Sequence, residues 1–243
     1  MRRIAIFLCF LFFMGHSTQR TSAEQSGSQD IIAINIILEP DATLVGKAKA
    51  LNARLRQNYP DGYELDAQHT PHITIAQRFV RAKDIDSVAA AVRNVVDNER
   101  PLGWPLKTTG YDYVVWSGVA ATAILIERTP ELECLQQKIL DAVAPFAVEG
   151  GTADAFVTSP NSTGISPETI EYVETFIPKG VDKNYMPHVT AGVAHEDFVK
   201  RLKTASYKPS TFKTSGVGIY QLGNFGTAAK RLWQWAPAPV ANK

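Results

Sequence analysis

Two segments of the chain read almost alike: Thr70-Pro71-His72-Ile73-Thr74-Ile75 and Met186-Pro187-His188-Val189-Thr190-Ala191. In each, an imidazole and a hydroxyl stand two residues apart in a run that alternates polar with apolar, the pattern of a half-buried strand. Side chains two apart leave the same face of a strand, roughly 6.6 Å apart along it. His72 and Thr74 therefore project together, as do His188 and Thr190, while Ile73, Ile75, Val189 and Ala191 enter the apolar layer. The copies lie 116 positions apart and can set two imidazoles facing each other across a groove. One His-x-Thr is ordinary sequence. Two, each behind a proline and each in a strand, point to a shared task.

That task suits phosphodiester chemistry without a metal ion. One neutral imidazole takes a proton from the attacking oxygen and one protonated imidazole gives a proton to the departing oxygen; an ordinary histidine pKa of about 6.5 lets both forms coexist near neutrality. Each threonine hydroxyl can donate to a phosphate oxygen as charge develops. The remaining histidines are weaker candidates. His69 stands three residues before His72, a superficially zinc-like spacing, but no cysteine or carboxylate joins them at a ligand distance in sequence. His195 reads as a helix-start residue. No Gly-x-Ser-x-Gly turn and no glycine-rich phosphate loop is present. No metal and no cofactor is expected. Tyr113, Tyr185 and Phe225 are candidate platforms for a base, and Arg78 and Lys183 lie near enough to the motifs to meet a phosphate.

The elements that carry these residues follow one plan twice. Ile31 to Leu38 is an almost wholly apolar run, hence a buried strand. Pro40 and Asp41 open a helix with Leu44, Ala48, Leu51 and Leu55 on one face, stopped near Pro60-Asp61-Gly62. The first His-x-Thr strand comes next, then a helix through Ile85, Val88, Val92 and Val95. Strands Tyr111 to Trp116 and Ala120 to Ile126 close the first half. The second half repeats the order from Ala120 to Ile126: a helix striped by Leu132, Leu135, Ile139 and Val143, the second His-x-Thr strand, a short helix at Phe198 and Leu202, and strands Gly216 to Leu222 and Arg231 to Trp235. Between the last two, Gly223-Asn224-Phe225-Gly226 is a hairpin signal. The plan predicts an α+β, bilobed, duplicated fold, with lobes over 31–126 and 120–236. Residues 149–185 stand outside it as an insertion, with a helix starting at Ser166-Pro167-Glu168, placed to cover one side of a site.

Composition narrows the setting. The 243 residues carry 25 basic and 24 acidic side chains. Residues 1–23, with Arg2 and Arg3 before an apolar run from Ile4 to Met14 and Thr21-Ser22-Ala23 at the end, read as an export signal too short to span a bilayer. A faint lipoprotein-like Cys9 has too little apolar sequence before it. Removing the signal leaves residues 24–243 as a single domain, mildly acidic and so a poor binder of long duplex nucleic acid. Cys134 is then alone, and Asn161-Ser162-Thr163 is a glycosylation sequon. A secreted or periplasmic monomer, off the membrane once processed, is expected.

The paired motifs and the repeated order of elements resemble the 2H phosphoesterase superfamily, which includes bacterial 2′-5′ RNA ligase-like proteins and cyclic phosphodiesterases. The resemblance implies two antiparallel-type sheets flanking a central cleft, with helices outside. It also implies a metal-independent site of His72, Thr74, His188 and Thr190 acting on a small nucleotide or RNA end, with 2′,3′-cyclic phosphate as the bond opened and reverse 2′-5′ ligation alongside. The competing reading is a non-catalytic nucleotide- or oligonucleotide-binding module of the same fold. The export signal and the 149–185 segment depart from the cytosolic ligase-like members.

Overall fold

The computed structural model describes residues 30–116, 118–158 and 164–235. The export signal and the Asn161-Ser162-Thr163 sequon lie outside the described residues. In chain order the elements are β1 (Ile31–Pro40), α1 (Ala42–Asn58), β2 (Ile73–Arg81), α2 (Ile85–Glu99), β3 (Pro105–Trp116), β4 (Val119–Ile126), α3 (Pro130–Val143), β5 (Ala147–Val148), α4 (Pro167–Glu174), α5 (Phe176–Gly180), β6 (His188–Ala194), α6 (Glu196–Thr204), β7 (Ser210–Leu222) and β8 (Ala228–Gln234).

Local chemistry starts the helices where the sequence predicts. The Asp41 carboxylate accepts from the Thr43 and Leu44 N–H groups and caps α1. Thr129 and Ser166 cap α3 and α4, each with proline just inside. The stripes then bury as expected: Leu44, Ala48, Leu51 and Leu55 on α1, and Leu132, Leu135, Ile139 and Val143 on α3.

The strands correct one expectation. Two separate sheets were predicted; the described strands form one eight-stranded antiparallel sheet in the order β5-β2-β1-β7-β3-β4-β6, with β8 on β7. The reason is the length of β7, which has 13 residues. Its first residues pair with β3 at Pro105–Thr108, and the rest pair with β1 and β8. A strand this long serves both groups and joins them, something the short run Gly216 to Leu222 did not reveal. The path curls, because β2 and β6 lie far apart in strand order yet pack against each other.

Both motif strands carry the same irregularity. β1 pairs Ile36 with Ala76 and Ile37 with Thr74, leaving Ile75 as an extra residue; β4 pairs Thr122 with Gly192 and Ala123 with Thr190, leaving Ala191 extra. A bulge frees a carbonyl from the ladder, and a buried carbonyl needs a partner. The helix of the opposite half supplies it each time. Gln136 Nε2 on α3 donates to the Ile75 carbonyl at 3.1 Å, and Asn52 Nδ2 on α1 donates to the Ala191 carbonyl at 2.8 Å. Gly192 makes the second contact possible: its φ is +145°, and a Cβ there would lie 2.7 Å from Asn52 Nδ2.

Candidate functional site

Each motif histidine is oriented by its own backbone. Nδ1 of His72 lies 2.7 Å from the Thr70 carbonyl, and Nδ1 of His188 lies 2.7 Å from the Met186 carbonyl. A carbonyl only accepts, so each Nδ1 carries a proton and each Nε2 is left for exchange. The X-Pro-His sequence explains the geometry: proline holds the chain extended and turns the carbonyl two residues back toward the ring.

The two strands deliver His72, Thr74, His188 and Thr190 to one cavity of about 280 Å³. Tyr113, Tyr185 and Phe225 also line it, so both motif pairs and all three candidate platforms reach this space. Their environments differ. Tyr113 carries the Lys203 ammonium over its ring at 5.6 Å. Tyr185 is buried, and burial pushes its phenol up; among the described residues its hydroxyl has no hydrogen-bond partner. It forms wall rather than platform. Phe225 sits at φ +58°, a strained setting for a side chain of this size. Its N–H donates to Thr169 Oγ1 at 3.0 Å, while the Thr169 hydroxyl donates to Asn224 Oδ1 at 2.8 Å. Helix α4 thereby holds the β7–β8 turn against the cavity, and the 149–185 segment contributes Tyr172, Phe176, Lys179, Gly180 and Tyr185 to its lining.

The other histidines and the two cations near the motifs lie elsewhere. His69 bonds Asp66 at 2.9 Å and stacks on Tyr63. His195 precedes α6 and meets Tyr59 edge-on. Arg78 packs over Phe176, and Lys183 borders a different surface hollow with Arg128 and Glu133. Among the described residues the lysine or arginine that does line the cavity is Lys179. Among the described residues no three of His, Cys, Asp and Glu gather as a metal ion would need.

The sequence reading missed three polar groups. Asn35 on β1 is fully buried, with Nδ2 at 3.1 Å from His72 Nε2 and 3.2 Å from Thr74 Oγ1. Gln77 lines the cavity because the bulge at Ile75 shifts the alternation. Asp112 on β3 lines it too, paired with Lys203 at 2.6 Å. Burial alone would raise the Asp112 carboxyl, but Lys203 and the Tyr113 N–H hold it below the usual carboxylate range.

These surroundings make the two imidazoles unequal. Burial pushes His72 down to about 4, against the pull of the Thr70 carbonyl, and a charge on His188 lowers it further. Burial lowers His188 as well, but the Met186 carbonyl and the Asp112 carboxylate both favour its protonated form. Both rings are shifted toward the neutral form, and His188 differs in having a carboxylate, Asp112, that opposes the shift.

The model of the 2′-5′ RNA ligase superfamily matches residues 44–223. No curated protein matches the sequence. Solved structures similar to the chain include TT0787 of Thermus thermophilus, at 12% identity and a TM-score of 0.48, covering 84% of this chain and 97% of that one. The ns2 PDE domain of MHV is 14% identical with a TM-score of 0.45, over 79% of this chain and 99% of that one. LigT of E. coli complexed with 3′-AMP is 13% identical with a TM-score of 0.41, over 86% and 99%.

Proposed function

The chain belongs to the 2′-5′ RNA ligase superfamily, and on that footing we propose that it is a metal-independent phosphoesterase that hydrolyses 2′,3′-cyclic phosphodiester ends of nucleotides or RNA, with 2′-5′ joining when a 5′-hydroxyl takes the place of water. The observation that carries this reading is the pair of Nδ1-anchored imidazoles, His72 and His188, on one cavity with Thr74 and Thr190.

The reaction follows from the inequality of the rings. His72 Nε2, held as a lone pair by the Asn35 amide, accepts the proton of the attacking water. The water oxygen bonds to phosphorus and the bond to one ribose oxygen breaks. His188, with Asp112 nearby favouring its charged form, gives its Nε2 proton to that leaving oxygen. Thr74 and Thr190 donate to the non-bridging oxygens as charge builds. Joining follows the same path with a 5′-hydroxyl in place of the water: His72 takes its proton, the 5′ oxygen bonds to phosphorus, and the bond to the 3′ oxygen breaks as that oxygen receives the His188 proton. Tyr113 and Phe225 are the platforms for a base, worth about 1–3 kcal/mol per stacked base. Lys179 adds a cation at the cavity for a phosphate.

The export signal extends the proposal to a secreted or periplasmic enzyme, which meets small or degraded nucleotides rather than intact tRNA. The test is turnover of the four nucleoside 2′,3′-cyclic phosphates by the purified mature protein, with 2′- and 3′-phosphate products resolved. Opening of at least one cyclic phosphate to a single isomer is expected. Measurable binding of all four with no turnover would instead make the cavity a nucleotide-binding module.

A further inference from the structure

Asn35 breaks the pattern of its own strand. It is the one polar residue between Ile31 and Leu38, at 0% exposure, and its side chain reaches both members of the first motif. The polarity of those contacts is fixed. With the His72 Nδ1 proton committed to the Thr70 carbonyl, Nε2 of the neutral ring holds the lone pair, and one Asn35 hydrogen donates to it. The other hydrogen donates to Thr74 Oγ1, which leaves the threonine O–H to point elsewhere. Among the described residues Asn35 Oδ1 meanwhile has no hydrogen-bond partner, an uncommon state for a buried oxygen.

The second motif has no such group. The matching bulges align Asn35, opposite Gln77, with Ala121, opposite Val193. An alanine at the corresponding place can give His188 Nε2 nothing. The asymmetry between the two imidazoles is therefore built into strands β1 and β4, behind the motifs.

We propose that Asn35 is a positioning residue that sets the protonation state of His72, holding Nε2 unprotonated by donating to it before reaction and turning its amide by half a turn to offer Oδ1 once the ring is protonated. The role this plays in turnover rests on the phosphoesterase reading; the control of His72 does not. A proton on Nε2 sets two donors against each other at the present 3.1 Å contact. The half-turn exchanges donor for acceptor and gives the orphaned Oδ1 its partner. The charged and titratable groups that share the cavity with His72 are His188 on β6, Asp112 and Tyr113 on β3, and Tyr172, Lys179 and Tyr185 from the covering segment. Of these, His188 is the one whose charge bears on His72. His69, in the loop before it, is turned to Asp66.

The experiment is histidine side-chain ¹⁵N NMR on the ligand-free mature protein across pH, for wild type, Asn35→Asp and Asn35→Ala. Wild-type His72 is expected as the Nδ1–H tautomer. Asn35→Asp supplies an acceptor and a negative charge, so His72 should titrate at least about one unit higher. Asn35→Ala removes the donor to the lone pair and should raise His72 by less; His188 should move less than His72 in both. The acid limb of kcat/KM should move upward with the NMR value. If Asn35→Asp fails to fold, the alanine variant carries the test alone. Unchanged His72 titration in the folded variants overturns the proposal, even where activity falls. Lack of cyclic phosphate turnover by wild type would remove the phosphoesterase reading and leave the NMR result standing.

Discussion

At the scale of the residue, the chemistry turns on which imidazole is neutral. Burial keeps His72 well below the ordinary histidine range, at about 4, and lowers His188 with opposition from Asp112 and the Met186 carbonyl. A base must be unprotonated and an acid protonated, so kcat/KM of the free enzyme should fall on the acid side as His72 takes up a proton. It should fall on the basic side as His188 loses one. Both limbs belong below the ordinary value of about 6.5, giving a bell centred on the acid side of it. A bell centred above pH 8 would contradict the assignment. The same shift bears on stability. The unfolded chain binds a proton on His72 more readily than the folded one, so stability is full above about 6.5 and declines as pH falls toward 4. The His-x-Thr pairs were legible because their spacing matches the strand period. Asn35 was legible only as a lone polar residue in an apolar run, a weaker signal with no partner in sequence. Gln77 was hidden, since strict alternation from His72 and Thr74 points to Ala76, and the bulge at Ile75 exchanges the two.

At the scale of the element, the motif strands depend on helices from the opposite half. Gln136 closes the bulge carbonyl of Ile75 and also donates to the Gly180 carbonyl at 3.2 Å, tying β2, α3 and α5 together. Asn52 closes that of Ala191 and also bonds the Tyr63 carbonyl at 3.0 Å. Removing either amide strands a buried carbonyl, so Gln136→Ala and Asn52→Ala should each cost about 1–3 kcal/mol in urea unfolding. Each should also lower turnover, because the bulge sets where Thr74 or Thr190 points. A variant of either kind with wild-type stability and turnover would show that the bulges hold themselves. Helix stripes and caps were readable along the chain because they are local. The joining of the strands by β7 was not, since its extent from Ser210 depends on a distant partner, Pro105–Thr108 of β3.

At the scale of the molecule, the curl of one sheet brings β2 and β6 together, and the 149–185 segment covers the resulting cavity. Proton transfer by two imidazoles needs no metal, so incubation with a chelator should leave turnover of a cyclic phosphate unchanged; activity lost to chelation and restored by zinc would replace this mechanism. The N-terminal segment makes a separate claim. Protein recovered from its native host should begin near Glu24 and lie outside the cytoplasm, which N-terminal sequencing checks. An intact Met1 would contradict it.

The most direct measurement of the central claim compares His72→Ala, His188→Ala and the double variant, each verified as folded, on whichever cyclic phosphate the wild type opens. Two imidazoles acting in one transition state predict that each single change lowers kcat by about 10²–10⁴, the usual scale for a general acid or base. The double variant should fall little below the worse single one, because groups that act as a unit are not additive. Near-normal turnover by both folded single variants would show that the paired histidines are not where the chemistry happens.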